Sequence, residues 1–257
     1  MTVSASQAAE AARLKVQPRH VLCFLGGEHE LAHMSDAAHA AIGKFATGFE
    51  VDTTYSIDHA DAVMVRSFGV CWDRVAPGGW TPADEEAVAN HKSVLYVLSP
   101  RMRPDTSMVI STAALFLVEK MISSGVTAAK GESAGVAHGV ARWRELALRA
   151  AAGLKTDDDF AVSRICRLAF AKRPLESETY VESVGYHLVG LPEVYVAKTL
   201  GTDLEKAAIM DTVADELTKN GVDAVLRDRK AKLSPDTSHA PDDFKFNPYG
   251  IVHIDQV

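Results

Sequence analysis

The sequence predicts an α+β protein in which antiparallel or mixed sheets are covered by helices, built as two ferredoxin-like halves that meet near residue 155. Three observations predict it. Short apolar runs rich in Val, Leu and Tyr alternate with amphipathic stretches of helical period. Around residues 49–70, and again around 165–188, two strand-like runs follow one another without a helix between them, which breaks the rhythm of a doubly wound parallel sheet. Of the 257 residues, 47% are hydrophobic and 24% charged, enough apolar surface to offset the entropy of ordering the chain. The chain divides into a flexible arm over 1–19, a first half over 20–155 and a second half over 156–257, the two halves packed as one unit.

After the alanine- and charge-rich arm, Val21 to Leu25 reads as a buried strand ended by Gly26-Gly27. From Glu30 to Phe45 the residues Leu31, Met34, Ala38, Ile42 and Phe45 recur at helical spacing and form one core-facing stripe. Phe49 to Tyr55 and Ala62 to Val70 read as strands, Pro77-Gly78-Gly79 as a turn, and Thr81-Pro82-Ala83-Asp84 as a helix start. Val94 to Leu98 is a strand stopped by Pro100, and Ser107 to Ser124 is a helix apolar over most of its circumference, hence central, capped by Gly125. Val126 to Lys130 reads as a strand, GESAGVAHG as a tight connection and Val140 to Ala152 as a helix. The acidic run Asp157-Asp158-Asp159 marks a surface, after which Ile165 to Ala171 and Tyr180 to Leu188 read as paired strands. Val194 to Ala197 is a strand. It leads into a helix signed by a Thr202/Glu205 capping box, an apolar face of Leu204, Ala208, Ile209, Val213 and Leu217, and Gly221 as terminator. Asp228 to Asn247 reads as loop and Ile251 to Ile254 as a final strand. No internal repeat and no low-complexity tract interrupts this order.

A formal net charge of -7 supplies no basic field to neutralise phosphates or to draw the chain to an anionic bilayer, which argues against nucleic acid and membrane partners. No stretch reaches the roughly 18 consecutive apolar residues of a membrane span, and MTVSASQAAEAARLKV lacks the apolar core of a secretion signal. The cysteines Cys23, Cys71 and Cys166 are odd in number and sit within apolar segments, as reduced thiols of a cytoplasmic protein do.

Three constellations could carry chemistry. His29-Glu30-Leu31-Ala32-His33 has the HExxH spacing, in which two imidazoles one helical turn apart bind zinc and the glutamate activates its water. His39 stands where the extended motif puts a third ligand, but Asp36 takes the place of the glycine that lets that ligand swing back, and His29 and His33 fall opposite the apolar stripe. Gly131-Glu132-Ser133-Ala134-Gly135 is a GxSxG; with Asp203 and His239 downstream it gives the Ser-Asp-His order of α/β-hydrolases. Against it, Gly26-Gly27 lacks the histidine of an oxyanion loop, Asp203 suits the first turn of a capped helix, and Ser133 suits a cap. The third set places small residues beside His138, Trp143 and His187, a composition suited to a shaped pocket or to satisfied core histidines. Ligand-binding candidates are therefore Glu132, Ser133, His138, Trp143 and His187.

Asn90-His91-Lys92 before VLYVLSP, GESAGVAHG followed by RWRELA, and ETYVESVGYHLVGLPEVYV before the last long helix together resemble the uncharacterised bacterial family called domain of unknown function four-two-six-one. The resemblance runs from about Val21 to the end, and specificity lies in the order and spacing of these segments. Members of the family typically have Gly-Met where this chain has Gly185-Tyr186. The resemblance carries no activity over; it implies that GESAG is a family turn and that HELAH lies on the ordinary first helix. The leading expectation is a cytoplasmic protein without cofactor that binds a small molecule or a protein, such as an immunity or stress-associated factor. A serine hydrolase acting on a small ester through Ser133 is the second reading, and a zinc hydrolase through His29, Glu30 and His33 the third.

Overall fold

The computed structural model describes residues 17–71 and 78–256. Most of the arm expected over 1–19, and Pro77 of the expected turn, lie outside the described residues. The last residues of that arm are held: Met102 N donates to the Pro18 carbonyl at 2.7 Å, and the Arg19 guanidinium reaches the Ser99 carbonyl at 2.7 Å.

The first half is built on a five-stranded antiparallel sheet of β1 (Val21–Gly26), β2 (Glu50–Ile57), β3 (Ser93–Leu98), β4 (Ala128–Gly131) and β5 (Val136–His138), in the order β2-β3-β1-β4-β5. Helix α1 (Leu31–Lys44) joins β1 to β2 and α4 (Pro104–Ser123) joins β3 to β4. The order β2-β3-β1-β4 with these two crossovers is ferredoxin-like. Two short helices, α2 (Ala62–Gly69) and α3 (Pro82–Ala89), are inserted between β2 and β3, and β5 is appended as a hairpin.

Alternation along the strands explains why this sheet needs helices on both sides. Leu22 and Phe24 point to the face packed by Met34, Ala38 and Leu115. Cys23 and Leu25 point to the other, packed by Met64, Phe68 and Val88 of the inserted pair. Helix α4 is 20 residues long and apolar enough, by length and mean hydropathy, to cross a membrane, although Ser, Thr, Glu and Lys interrupt its apolar residues. It is the central core helix, with Leu115, Leu117, Val118 and Met121 fully buried.

After α5 (Val140–Lys155) and α6 (Asp159–Phe170), the second half forms a mixed sheet of β6 (Lys172–Glu176), β7 (Tyr180–Val184), β8 (Glu193–Ala197), β9 (Lys232–Ser234) and β10 (Ile251–Ile254), in the order β6-β7-β8-β10-β9. β8 and β10 are parallel and the remaining pairs antiparallel, so the ferredoxin-like order is confined to the first half. Helix α7 (Asp203–Asn220), with the expected reciprocal Thr202–Glu205 cap, lays Met210, Val213 and Leu217 on one face of this sheet; α8 (Val222–Asp228) follows it.

Two segments expected as strands are helices. Ala62 to Val70 forms α2 because Asp61 accepts from Val63 N at 2.8 Å and starts a turn whose Met64 and Phe68 then face the sheet. Ile165 to Phe170 belongs to α6, with Ala171 as its extended C-cap; Asp158 caps the start by accepting from Ala161 N at 2.9 Å, so the acidic run is a helix start. β7 stops at Val184 because Gly185 takes φ 112°, where a Cβ would stand 2.7 Å from the Phe170 carbonyl oxygen; a 3₁₀ turn, Tyr186–Val189, follows. Tyr186 is fully buried with the Arg167 guanidinium 5.7 Å from its ring centre.

The halves share one core, since Ile165, Phe170, Val184 and Leu188 join the cluster that contains Phe24 and Trp143. A buried relay sews them further. The Ser111 hydroxyl gives its only hydrogen to the Leu188 carbonyl at 2.5 Å, so at 2.7 Å it accepts from Nε2 of His20. Burial, and then the neighbouring His187, push His20 down to about 3, well below the ordinary 6.5. A histidine depressed in the folded state adds stability that is complete above the unfolded pKa and is lost as pH falls below it. Wild-type unfolding free energy, measured with denaturant, should therefore fall more steeply below about pH 6.5 than that of His20→Gln, by on the order of 1 kcal/mol per pH unit. Parallel curves for the two proteins would contradict the relay.

Candidate ligand-binding cleft

Helices α2 and α3 cover only one end of their sheet face. At the covered end Leu25 pairs across the strands with Val94 and Ala128. At the other end Val21 pairs with Leu98, and Val21 O receives Glu132 N at 2.8 Å. Between them runs a row of registered neighbours, Asp52, Tyr96, Cys23 and Lys130, on four adjacent strands. The uncovered end forms a cleft of about 630 Å³, lined by Val21, Tyr96 and Leu98 of the sheet and by Glu132 of the β4–β5 turn. Ser67 and Cys71 line it from α2 and its end, and Asp243, Phe244 and Lys245 close it from the second half.

Lys130 is the anomaly on which the cleft is built. It stands in a strand buried on both faces and is itself fully buried. A buried ammonium requires an anion and further hydrogen bonds. Glu132, two residues on and therefore on the same face, supplies the anion, with Oε1 at 2.7 Å from Nζ. Ser67 Oγ accepts a second hydrogen bond, and the Phe68 ring centre lies 4.9 Å away. Tyr96 donates its hydroxyl to the same Glu132 oxygen at 3.4 Å. Burial, and then the charges of its neighbours, push the Tyr96 phenol far above its usual range, so it is a donor. Burial pushes the Cys23 thiol up to about 12, and raises that of Cys71 against the fields of Lys130, Lys172 and Lys245. Neither is a thiolate nucleophile.

The second-half wall is fastened by a buried carboxylate. Glu193 accepts from Ser183 Oγ at 2.6 Å, from Gly185 N at 3.0 Å, from Tyr186 N at 2.9 Å and from Asn247 Nδ2 at 2.9 Å. His187 aims Nδ1 at that carboxylate (3.3 Å) and Nε2 at the Phe244 carbonyl (3.0 Å), which fixes the residue that lines the cleft. Asp236 clasps the same loop from its other end by accepting from Asn247 N at 2.9 Å and Ser238 N at 2.8 Å, with His239 Nδ1 at 3.4 Å from its second oxygen.

Of the candidate catalytic, metal and ligand-binding residues named from the sequence, only Glu132 lines the cleft. Ser133 is buried; its hydroxyl donates to the Arg19 carbonyl at 2.7 Å and accepts from Val21 N at 2.9 Å, pinning the start of β1. The GESAG segment is the turn of a β-hairpin and no strand-to-helix elbow, with Gly135 at φ 69° closing it. The expected Ser133, Asp203, His239 triad is not assembled, because Asp203 pairs with Lys206 at 3.0 Å on the exposed start of α7 and His239 with Asp236. His29 precedes α1 at φ 61° and is 85% exposed, so it and His33 do not share a helical turn as the HExxH reading requires. His39 hydrogen-bonds within its own helix, to the Ser35 carbonyl. Among the described residues no group of three His, Cys, Asp or Glu could hold a metal ion. His138 and Trp143 are core: His138 Nε2 lies 3.0 Å from the Ala169 carbonyl, Trp143 Nε1 donates to the Ala129 carbonyl at 3.0 Å, and their rings meet edge to face. His187 is a buried strut.

Sequence reading missed Lys130, Tyr96, Ser67 and Phe244. One signal was present: a lysine inside the small-residue run Ala128-Ala129-Lys130-Gly131, two places before a glutamate, is a buried ion pair in embryo. Compared with family models, with curated proteins and with solved structures, the chain matches none.

Two outcomes follow from this geometry. Glu132→Ala leaves the Lys130 charge buried and should cost about 3–5 kcal/mol. Lys130→Met, which leaves a carboxylate that is 24% exposed and open to water, should cost about 1–3 kcal/mol. Denaturant curves showing the opposite ranking would contradict the assignment. For the loop, the Asp236 bond raises His239 above 6.5 against the opposing effect of burial, so the pair's contribution is complete below 6.5 and is lost as pH rises through the raised value. Asp236, lowered below 3.8 by His239 and the backbone donors in spite of its burial, keeps its share until pH falls below that range. Relative to His239→Gln, wild type should resist chymotryptic cleavage at Phe244 at about pH 6 and lose that advantage as the pH is raised through the titration of His239. Equal protection at both pH values would exclude the clasp.

Proposed function

We propose that the chain is a binding protein whose site is the cleft between the open end of the first sheet and the 243–245 loop, and that its ligand is a small molecule with an apolar body and polar ends. The observation that carries the reading is the composition of the cleft walls. Exposed aromatic side chains, Tyr55 at 69% and Phe244 at 50%, face a space of about 630 Å³ whose floor bears Glu132 and Tyr96. Ligand sites of this kind are concave and largely apolar, with a few placed polar groups, at about 300–1,000 Å³.

Binding is favoured over hydrolysis because the serine and histidines that would do chemistry are occupied elsewhere with backbone and carboxylate partners. A reducing compartment such as the cytoplasm suits the three buried, unpaired cysteines.

A fluorescence thermal-shift screen of metabolite mixtures tests the reading. A true ligand should raise the melting temperature of wild type, and Phe244→Ala should abolish the shift while changing the unliganded stability by no more than about 0.5 kcal/mol, as exposed positions do. A ligand bound equally well by wild type, Phe244→Ala and Tyr55→Ala would place the site elsewhere.

A further inference from the structure

We infer that the ligand is a short apolar zwitterion, a free amino acid or a peptide of a few residues, with its ammonium on Glu132 and its carboxylate on Arg101 and Lys245. The inference rests on the cleft being the ligand site.

The argument is one of charge accounting at the cleft walls. Residues of both signs line it, and they differ in what they already hold inside the protein. Asp52 accepts from Thr54 N at 2.8 Å and Tyr55 N at 3.2 Å in its own turn. Arg19 is paired with Glu50 at 2.9 Å, and Asp243 accepts from Lys245 N at 2.9 Å. Glu132 engages Lys130 and Tyr96 through Oε1, which leaves Oε2 without a partner among the described residues. Arg101 spends one N–H on the Gln17 carbonyl at 3.1 Å and, among the described residues, has no carboxylate partner; nor has the Lys245 ammonium.

An occupant that excludes water must satisfy these groups or leave them desolvated, which strongly disfavours binding when the group is charged. A neutral apolar ligand satisfies none of them. A polyanion meets Asp52, Glu132 and Asp243, and a polycation meets Arg19, Arg101 and Lys245, all lining the same space. A molecule with one ammonium and one carboxylate separated by an apolar body satisfies both signs, its body lying against Leu98, Val70 and the exposed faces of Tyr55 and Phe244. The ammonium donates to Glu132 Oε2, and the carboxylate accepts from the Arg101 fork.

The test is calorimetric titration of leucyl-phenylalanine in four forms: free, N-acetylated, C-amidated, and blocked at both ends. The free peptide should bind about tenfold tighter than either singly blocked form, the worth of one charge-assisted hydrogen bond at each end. Arg101→Gln, a change on an exposed side chain, should weaken the free peptide to the level of the C-amide and leave the C-amide unchanged. Glu132→Gln should do the same with the N-acetyl form; because it strips Lys130 of its anion, the Arg101→Gln arm decides alone if that variant does not fold. A doubly blocked peptide that binds as tightly as the free one, or no binding by any form, overturns the zwitterion. In that case a different compound whose binding is lost in Phe244→Ala leaves the cleft standing. A free peptide indifferent to Arg101→Gln and to Phe244→Ala overturns both.

Discussion

A lysine in the middle of a strand that is buried on both faces is the constraint from which the rest of this structure follows. Lys130 has no route to water, so an anion must come to it. The pleat puts Glu132 on the same side, and the hairpin turn that begins there lets Oε1 reach back to 2.7 Å. The turn is thereby committed to one shape. Ser133 ties it to the Arg19 carbonyl and Val21 N, Gly135 closes it at positive φ, and Glu132 is left at the edge of a sheet face that the inserted helices do not cover. The cleft is the space left over. The cost of burying a charge in the first half is offset locally, and its by-product is a partly exposed carboxylate with one oxygen that has no partner among the described residues.

The second half completes the cleft by holding a loop against it. Glu193 gathers the donors of Ser183, Gly185, Tyr186 and Asn247, and His187 passes that anchorage on to the Phe244 carbonyl. The His20, Ser111, Leu188 relay and the shared core around Phe170 set the two halves in one arrangement. A sheet face on one side and a loop clasped by Asp236 on the other make a cleft whose floor is fixed and whose rim responds to pH through His239.

Much of the fold was legible from periodicity. β1, α1 and the central α4 follow from apolar spacing and punctuation, α7 from its cap although Leu204 and Ala208 of the expected apolar face are exposed, and the α+β class from their order. The misread segments share a cause. Ala62 to Val70 and Ile165 to Ala171 are short, apolar and partly β-branched, and in such windows strand and helix periods cannot be told apart. The deciding signals lay just upstream, in Asp61 and Asp158, whose capping bonds start the helices. The ferredoxin-like build expected of both halves holds for the first sheet alone; strand order and the parallel β8–β10 pair were not legible, because pairing depends on contacts far apart in sequence. At the site, only Glu132 was in view. Motifs drew attention to Ser133, His29 and His33, whereas the cleft is assembled from Lys130, Tyr96, Ser67 and Phe244, which lie on separate elements and share no local spacing.

The most direct measurement of the account is the coupling between Lys130 and Glu132 in a double-mutant cycle, with Lys130→Met, Glu132→Gln and the combined variant compared by denaturant unfolding. If the pair is what organises the cleft, the double variant is much more stable than the sum of the single losses implies, with a coupling above about 2 kcal/mol. Losses that simply add, with a coupling within about 0.5 kcal/mol of zero, would mean that the two charges are held independently. The floor of the cleft would then rest on something other than this ion pair.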